Sequence, residues 1–147
     1  MPARAWGFKS PLGHKIAAPS GAAFLLIWLH GAVLQIRRIY DPVLESDGYR
    51  VLVDRLWPRG VSKQAAALDE WAKDIAATPQ LRTWFAHESS RFEEFGERYR
   101  MELDANPDLG RFQALMEQQP VLTLLYGAQD AVVNHAAVLM QYLNSAG

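Results

Sequence analysis

The chain has 147 residues, half of them hydrophobic, with a formal charge of −1 and no cysteine. That is material for one domain with one core, and it excludes disulfides, thiolate zinc sites and cysteine nucleophiles, so a cytoplasmic location is expected. No stretch concentrates Lys or Arg with interleaved aromatics, and the residues after 33 are net acidic, so no nucleic-acid partner is expected.

Residues 1–33 differ from the rest, with scattered Gly and Pro ahead of an apolar segment, Ala22 to Leu29. This run falls short of the roughly twenty apolar residues that span a membrane, so no membrane partner is expected. Basic residues ahead of it suit a signal peptide, but Leu29 and His30 stand where a cleavage site needs small residues. Gly7-Phe8-Lys9-Ser10 can also be encoded by GGG-TTC-AAG-TCC, the T-loop of a transfer RNA gene read in one frame. Residues 1–33 are therefore read as an N-terminal extension outside the core. A start assigned too far upstream, a signal or anchor, and an added helix are the alternatives. Residues 34–147 are read as a single α/β domain.

Leu34, Ile36 and Ile39 predict a first strand that Tyr40-Asp41-Pro42 ends. Asp47-Gly48 makes a turn, and Val51 to Asp54 predict a second strand that delivers a loop, Trp57-Pro58-Arg59-Gly60. Ser62 is placed to cap a helix from Lys63 to about Ala76, with Leu68, Trp71, Ala72 and Ile75 on its apolar face. Thr78-Pro79 starts another short helix, and Ser90 with Glu93 reads as a capping box ahead of Phe92, Phe95, Tyr99 and Leu103. A further helix follows Asn106-Pro107. The uninterrupted run VLTLLY, Val121 to Tyr126, predicts a central strand covered on both faces. Asp130 is placed to cap the last helix. Strand, helices, strand and helix in this order predict an α/β fold: a mostly parallel sheet of about three strands covered by helices in a Rossmann-like three-layer arrangement.

Parallel strands at Val51 and Val121 would share one rim at their carboxyl ends, where such sheets bind ligands. Asp54, Arg55 and Arg59 would then face Tyr126, Asp130, Asn134 and His135 across a crevice. Arg55 and Arg59 are candidates to hold a phosphate or carboxylate through bidentate bonds, with pinning of the loop as the alternative. Trp57 could stack on the ligand, and Tyr126 and Asn134 complete the candidate binding set. Asp54, Asp130 and His135 are the candidate catalytic groups, His135 because a helix start favours the neutral, basic ring. His87 reads as a surface or packing residue. His87, His135, Asp54 and Asp130 match no known metal-ligand spacing, so no metal is assigned. No glycine-rich phosphate cradle is present, and the cofactor and oligomeric state stay open.

DRLWPRGVSK (Asp54 to Lys63), LDEWAKDIA (Leu68 to Ala76), LRTWFAHE (Leu81 to Glu88), RFEEFGERYRMEL (Arg91 to Leu103), TLLYGAQD (Thr123 to Asp130) and NHAAVL (Asn134 to Leu139) together resemble the YeaO-like bacterial proteins, a domain-of-unknown-function family. The resemblance covers about Ile36 to Leu143 and implies a small cytoplasmic α/β protein without an established reaction. Gly127 and Gln129 stand where that family commonly has Ala and Lys. Two functional readings remain: an enzyme or binder of a small anionic metabolite, and a non-catalytic regulatory or interaction module.

Overall fold

In the computed structural model, which describes residues 33–146, four strands form one parallel sheet. They are β1 (Val33–Arg38), β2 (Tyr49–Leu52), β3 (Glu70–Trp71) and β4 (Val121–Tyr126), in the order β1-β4-β2-β3. β4 lies inside the sheet and pairs with β1 on one side and β2 on the other. Its VLTLLY run is what burial on both faces requires. Because successive strand residues point to opposite faces, Val51, Val53, Leu122 and Leu124 enter a large core while Leu52 and Leu125 enter a smaller one. The expected α/β architecture is present, with one strand more than expected.

The described helices are α1 (Lys63–Ala66), α2 (Pro79–Phe85), α3 (Phe92–Asp104), α4 (Leu109–Gln118) and α5 (His135–Ala146). The last four supply the large core with Phe85, Phe95, Tyr99, Phe112 and Leu139. Thr78 caps α2, its hydroxyl accepting from the Leu81 amide at 3.2 Å, and its own hydroxyl and amide donate to Glu102 on α3 at 2.7 and 3.0 Å. The aromatic rings then stack across the two helices, Phe85 on Phe95 at 4.3 Å and Phe95 near Tyr99 at 5.7 Å. The Tyr99 hydroxyl donates to the Ile75 carbonyl at 2.7 Å, and burial pushes its ionisation upward.

The helix expected from Lys63 to about Ala76 stops at Ala66. Ser62 does cap it, accepting from the Ala65 amide at 3.0 Å, but Ala67 turns left-handed at φ 48° and the chain continues into β3 beside Val51 and Leu52. Arg50, a buried side chain, meets the helix end and donates to the carbonyls of Ala66 and Ala67 at 2.8 and 3.1 Å. Those bonds satisfy the carbonyls that the end of a helix leaves unpaired. The helical spacing was misleading because Leu68 and Trp71 pack on the smaller core whereas Ala72 and Ile75 enter the larger one. The capping box at Ser90 and Glu93 does not form either. A 3-10 turn at Ser89–Arg91 runs straight into α3, so backbone carbonyls satisfy the first amides: Arg91 donates to Glu88, and Phe92 to Ser89.

Arg50 itself belongs to a buried ionic hub. Asp47, fully buried, pairs with Arg50, accepts from Arg37 at 3.0 and 3.1 Å and accepts from the Leu44 amide at 3.0 Å. The Thr123 hydroxyl donates to the Asp47 carbonyl at 2.6 Å, which ties the hub to β4. Desolvation lowers the Arg50 pKa, and the Asp47 charge opposes that shift.

Gly48, next in sequence, has φ +63°, and a Cβ there would lie 2.6 Å from both the Cβ and the carbonyl oxygen of Val121. Gly48→Ala is therefore expected to cost more than the 1–3 kcal/mol typical of a strained backbone position, since β4 would have to move as well. A urea titration would show it as a lowered midpoint, and an unchanged midpoint would refute the close packing of this turn on β4.

Among the described residues no helix is long and apolar enough to cross a membrane. The expectation of an extension at residues 1–33 falls on residues outside those described, save Val33, which begins β1.

Candidate functional site

A cavity of about 270 Å³ lies beyond the carboxyl ends of β2 and β4. One side is the loop from Asp54 to Arg59, and the other is Gly127, Ala128, Asn134 and His135. Phe85 and Phe95 form its buried base. This is the strand-end rim of a parallel sheet, where the backbone has to turn and side chains of successive loops converge.

Asp54 joins the two loops. Its Oδ2 accepts from the Gly127 amide at 2.8 Å, and the Trp71 indole N–H donates to its carbonyl at 2.8 Å. The other carboxylate oxygen, Oδ1, is buried with no hydrogen-bond partner, although His135 Nε2 lies 3.2 Å away. The two observations agree once the proton is placed. Nε2 faces two acceptors, so it carries hydrogen, and that hydrogen is directed at the Val53 carbonyl, 2.9 Å distant. Asp54 Oδ1 is thus an electrostatic neighbour of the ring and has spare acceptor capacity.

Arg55 is largely engaged. It donates to the carbonyls of Ala77 and Ala76 at 3.2 and 3.1 Å and lies 3.8 Å from the exposed Asp74. Arg59 differs. Its carbonyl accepts from the Tyr40 hydroxyl at 2.8 Å, which holds the backbone, while its guanidinium has no protein partner among the described residues. The Trp57 indole N–H donates to the Val61 carbonyl at 2.6 Å and its ring meets Trp71 edge-on at 5.2 Å, so this side chain is fixed at the cavity margin.

Asn134 reaches the cavity but is committed to the fold: Oδ1 accepts from the Ala137 amide at 2.9 Å and caps α5, and Nδ2 donates to the Asp130 carbonyl at 2.9 Å. Tyr126 and Asp130 do not line the cavity. As the last residue of β4, Tyr126 follows the period-two pattern into the large core, where burial raises its pKa. Asp130 is exposed, and its Oδ1 accepts from the amides of Val132 and Val133, both at 2.8 Å, so it shapes the loop ahead of α5 while Asn134 does the capping.

Those amide bonds, Val133 first, hold the Asp130 pKa below its ordinary value. The folded loop should therefore be favoured above the usual carboxylate range and lose that support as pH falls through the lowered pKa. The Val132 and Val133 amide resonances should titrate together in acid, and Asp130→Asn should remove the step.

Among the lining residues not expected as site members from the sequence are the basic side chains Arg82 and His87. Arg82 is exposed on α2, and its guanidinium has no protein partner among the described residues. His87 follows Ala86, and both have positive φ, 58° and 48°. Consecutive left-handed residues without glycine are uncommon, and here they turn the chain sharply after α2 so that His87 stays at the cavity. Among the described residues no group of three or more His, Asp or Glu side chains is placed to hold a metal ion.

A family model matches residues 33–146, which include every element of the sheet and the whole cavity. The chain belongs to the DUF488-N3i family, described as the inactive DUF488-N3 subclade. It is 46% identical over 112 residues to the uncharacterised protein YeaO of Escherichia coli (strain K12), a match covering 76% of this chain and 97% of YeaO. It is 38% identical over 111 residues to the uncharacterised protein Rv3073c of Mycobacterium tuberculosis, covering 76% of this chain and 93% of that protein. No solved structure matches the chain. The YeaO-like resemblance of the motifs is thus a family membership.

Proposed function

We propose that the strand-end cavity binds a small anionic metabolite and that the protein acts as a binding module rather than as a catalyst. The observation that carries this reading is the charge imbalance at the cavity: Arg59 and Arg82 bring guanidiniums without protein partners among the described residues, while Asp54 is the one carboxylate among its described lining residues. Unpaired arginines beside an apolar recess suit carboxylate or phosphate recognition, and their planar fork supplies the geometry.

A binding role is favoured over catalysis by how the polar groups are used. Asp54 secures Gly127, His135 donates to a backbone carbonyl, and Asn134 caps a helix, so the candidate acid and base groups have structural duties. The family's description as inactive fits the same reading. The enzyme alternative would assign proton transfer to the pair Asp54 and His135, whose 3.2 Å separation allows it.

A thermal-shift screen of phosphate- and carboxylate-bearing metabolites tests the proposal. A ligand at a hundred times its dissociation constant adds about 2.7 kcal/mol of stability. Arg59→Ala and Arg82→Ala, both exposed side chains, should each leave the unliganded melting temperature within a degree or two while reducing the ligand-induced shift. Full shifts in both variants would remove the anion-binding role.

A further inference from the structure

Resting on the anion-binding reading, we propose that the ligand is a dianion carried on a single flat ring, with a phosphate monoester as its head group. The first argument is charge. Arg55 is tied to the Ala76 and Ala77 carbonyls and lies near Asp74, and Asp54 has the Gly127 amide and the neighbouring His135, so Arg59 and Arg82 are the lining cations without a partner among the described residues. A monoanion neutralises one of them. A phosphomonoester near neutral pH, at close to two negative charges with three acceptor oxygens, matches both.

The second argument is shape. The base of the cavity is the stacked pair Phe85 and Phe95, and Trp57 is pinned at its margin. Aromatic rings in a cavity lining favour an aromatic partner, met by edge or by face. At about 270 Å³ the space is at the small end of ligand pockets, which suits one ring and its head group.

Isothermal titration of the full chain at pH 7.5 with phenyl phosphate, phenyl sulfate and inorganic phosphate separates the arguments. Phenyl sulfate copies the shape of phenyl phosphate with one negative charge fewer. Phenyl phosphate is expected to bind at least about tenfold more tightly than either of the others, and Arg59→Ala and Arg82→Ala should each weaken it by about tenfold and shrink its advantage over the sulfate. Equal binding of phenyl sulfate and phenyl phosphate would overturn the dianion and leave the anion pocket standing. Equal binding of inorganic and phenyl phosphate would overturn the ring. Failure of all three to bind to folded protein would overturn the anion reading together with this inference.

Discussion

Replacing Asp47 with alanine is expected to lower the unfolding free energy by about 3–5 kcal/mol, because it strands the Arg50 guanidinium in the interior without its counter-ion. The loss would also free Arg37 from its two bonds to the carboxylate and the Leu44 amide from its acceptor. Urea unfolding followed by tryptophan fluorescence measures the change, with a constant slope confirming that only stability moved. Asp47→Ala combined with Arg50→Met should recover part of the loss by removing the stranded charge. Recovery should stay incomplete, since the Ala66 and Ala67 carbonyls that Arg50 satisfies would remain unmet. A single-variant cost under about 1 kcal/mol, the range of an exposed ion pair, would show that the hub is wet and contributes little.

Phe95→Ala is expected to cost a similar amount, about 3–5 kcal/mol, as deletions of buried aromatic rings do. Phe95 is 1% exposed and touches rings on two sides, so no neighbour can fill its place without breaking a stack. Its position at the cavity base adds a second consequence. The folded fraction should bind its ligand more weakly, whereas a purely scaffold residue would leave binding intact. A wild-type unfolding midpoint would contradict the helix packing described for α2 and α3.

The strands and their parallel arrangement were legible because burial on both faces leaves a continuous apolar run, and VLTLLY has no other ready interpretation. The stretch after Ser62 was not. Leu68, Trp71, Ala72 and Ile75 have helical spacing, yet they serve two different cores on either side of a short edge strand. Arg50, well upstream in sequence, meets the helix end, and no local pattern could announce that its guanidinium would take the Ala66 carbonyl. Trp71 accordingly sits on β3 with its indole bonded to Asp54, rather than on a helical face.

The candidate site divides the same way. Asp54, Arg55, Trp57 and Arg59 were visible because charge and aromatic rings crowd the end of one strand, and Asn134 and His135 because they open a helix after another. Asp130 drew attention for its place ahead of α5, but it is Asn134 that reaches the Ala137 amide. Arg82 and His87 lie on and just after a helix whose apolar face marks it as scaffold. Their arrival at the cavity depends on how α2 packs on α3 and on two left-handed residues that carry no glycine signal.

The strand order also sets a timetable for synthesis. β1 and β2 are made early but are joined in the sheet through β4, whose residues leave the ribosome nearly ninety positions after their partners in β1. At roughly 5–20 residues per second, the growing chain spends several seconds with β1 unable to pair, and the early β2 and β3 contact is a two-residue ladder. The centre of the sheet therefore closes last. Nascent chains stalled before Val121 should be protease-sensitive throughout β1 and β2, and protection should arrive in one step once Tyr126 and α5 have emerged.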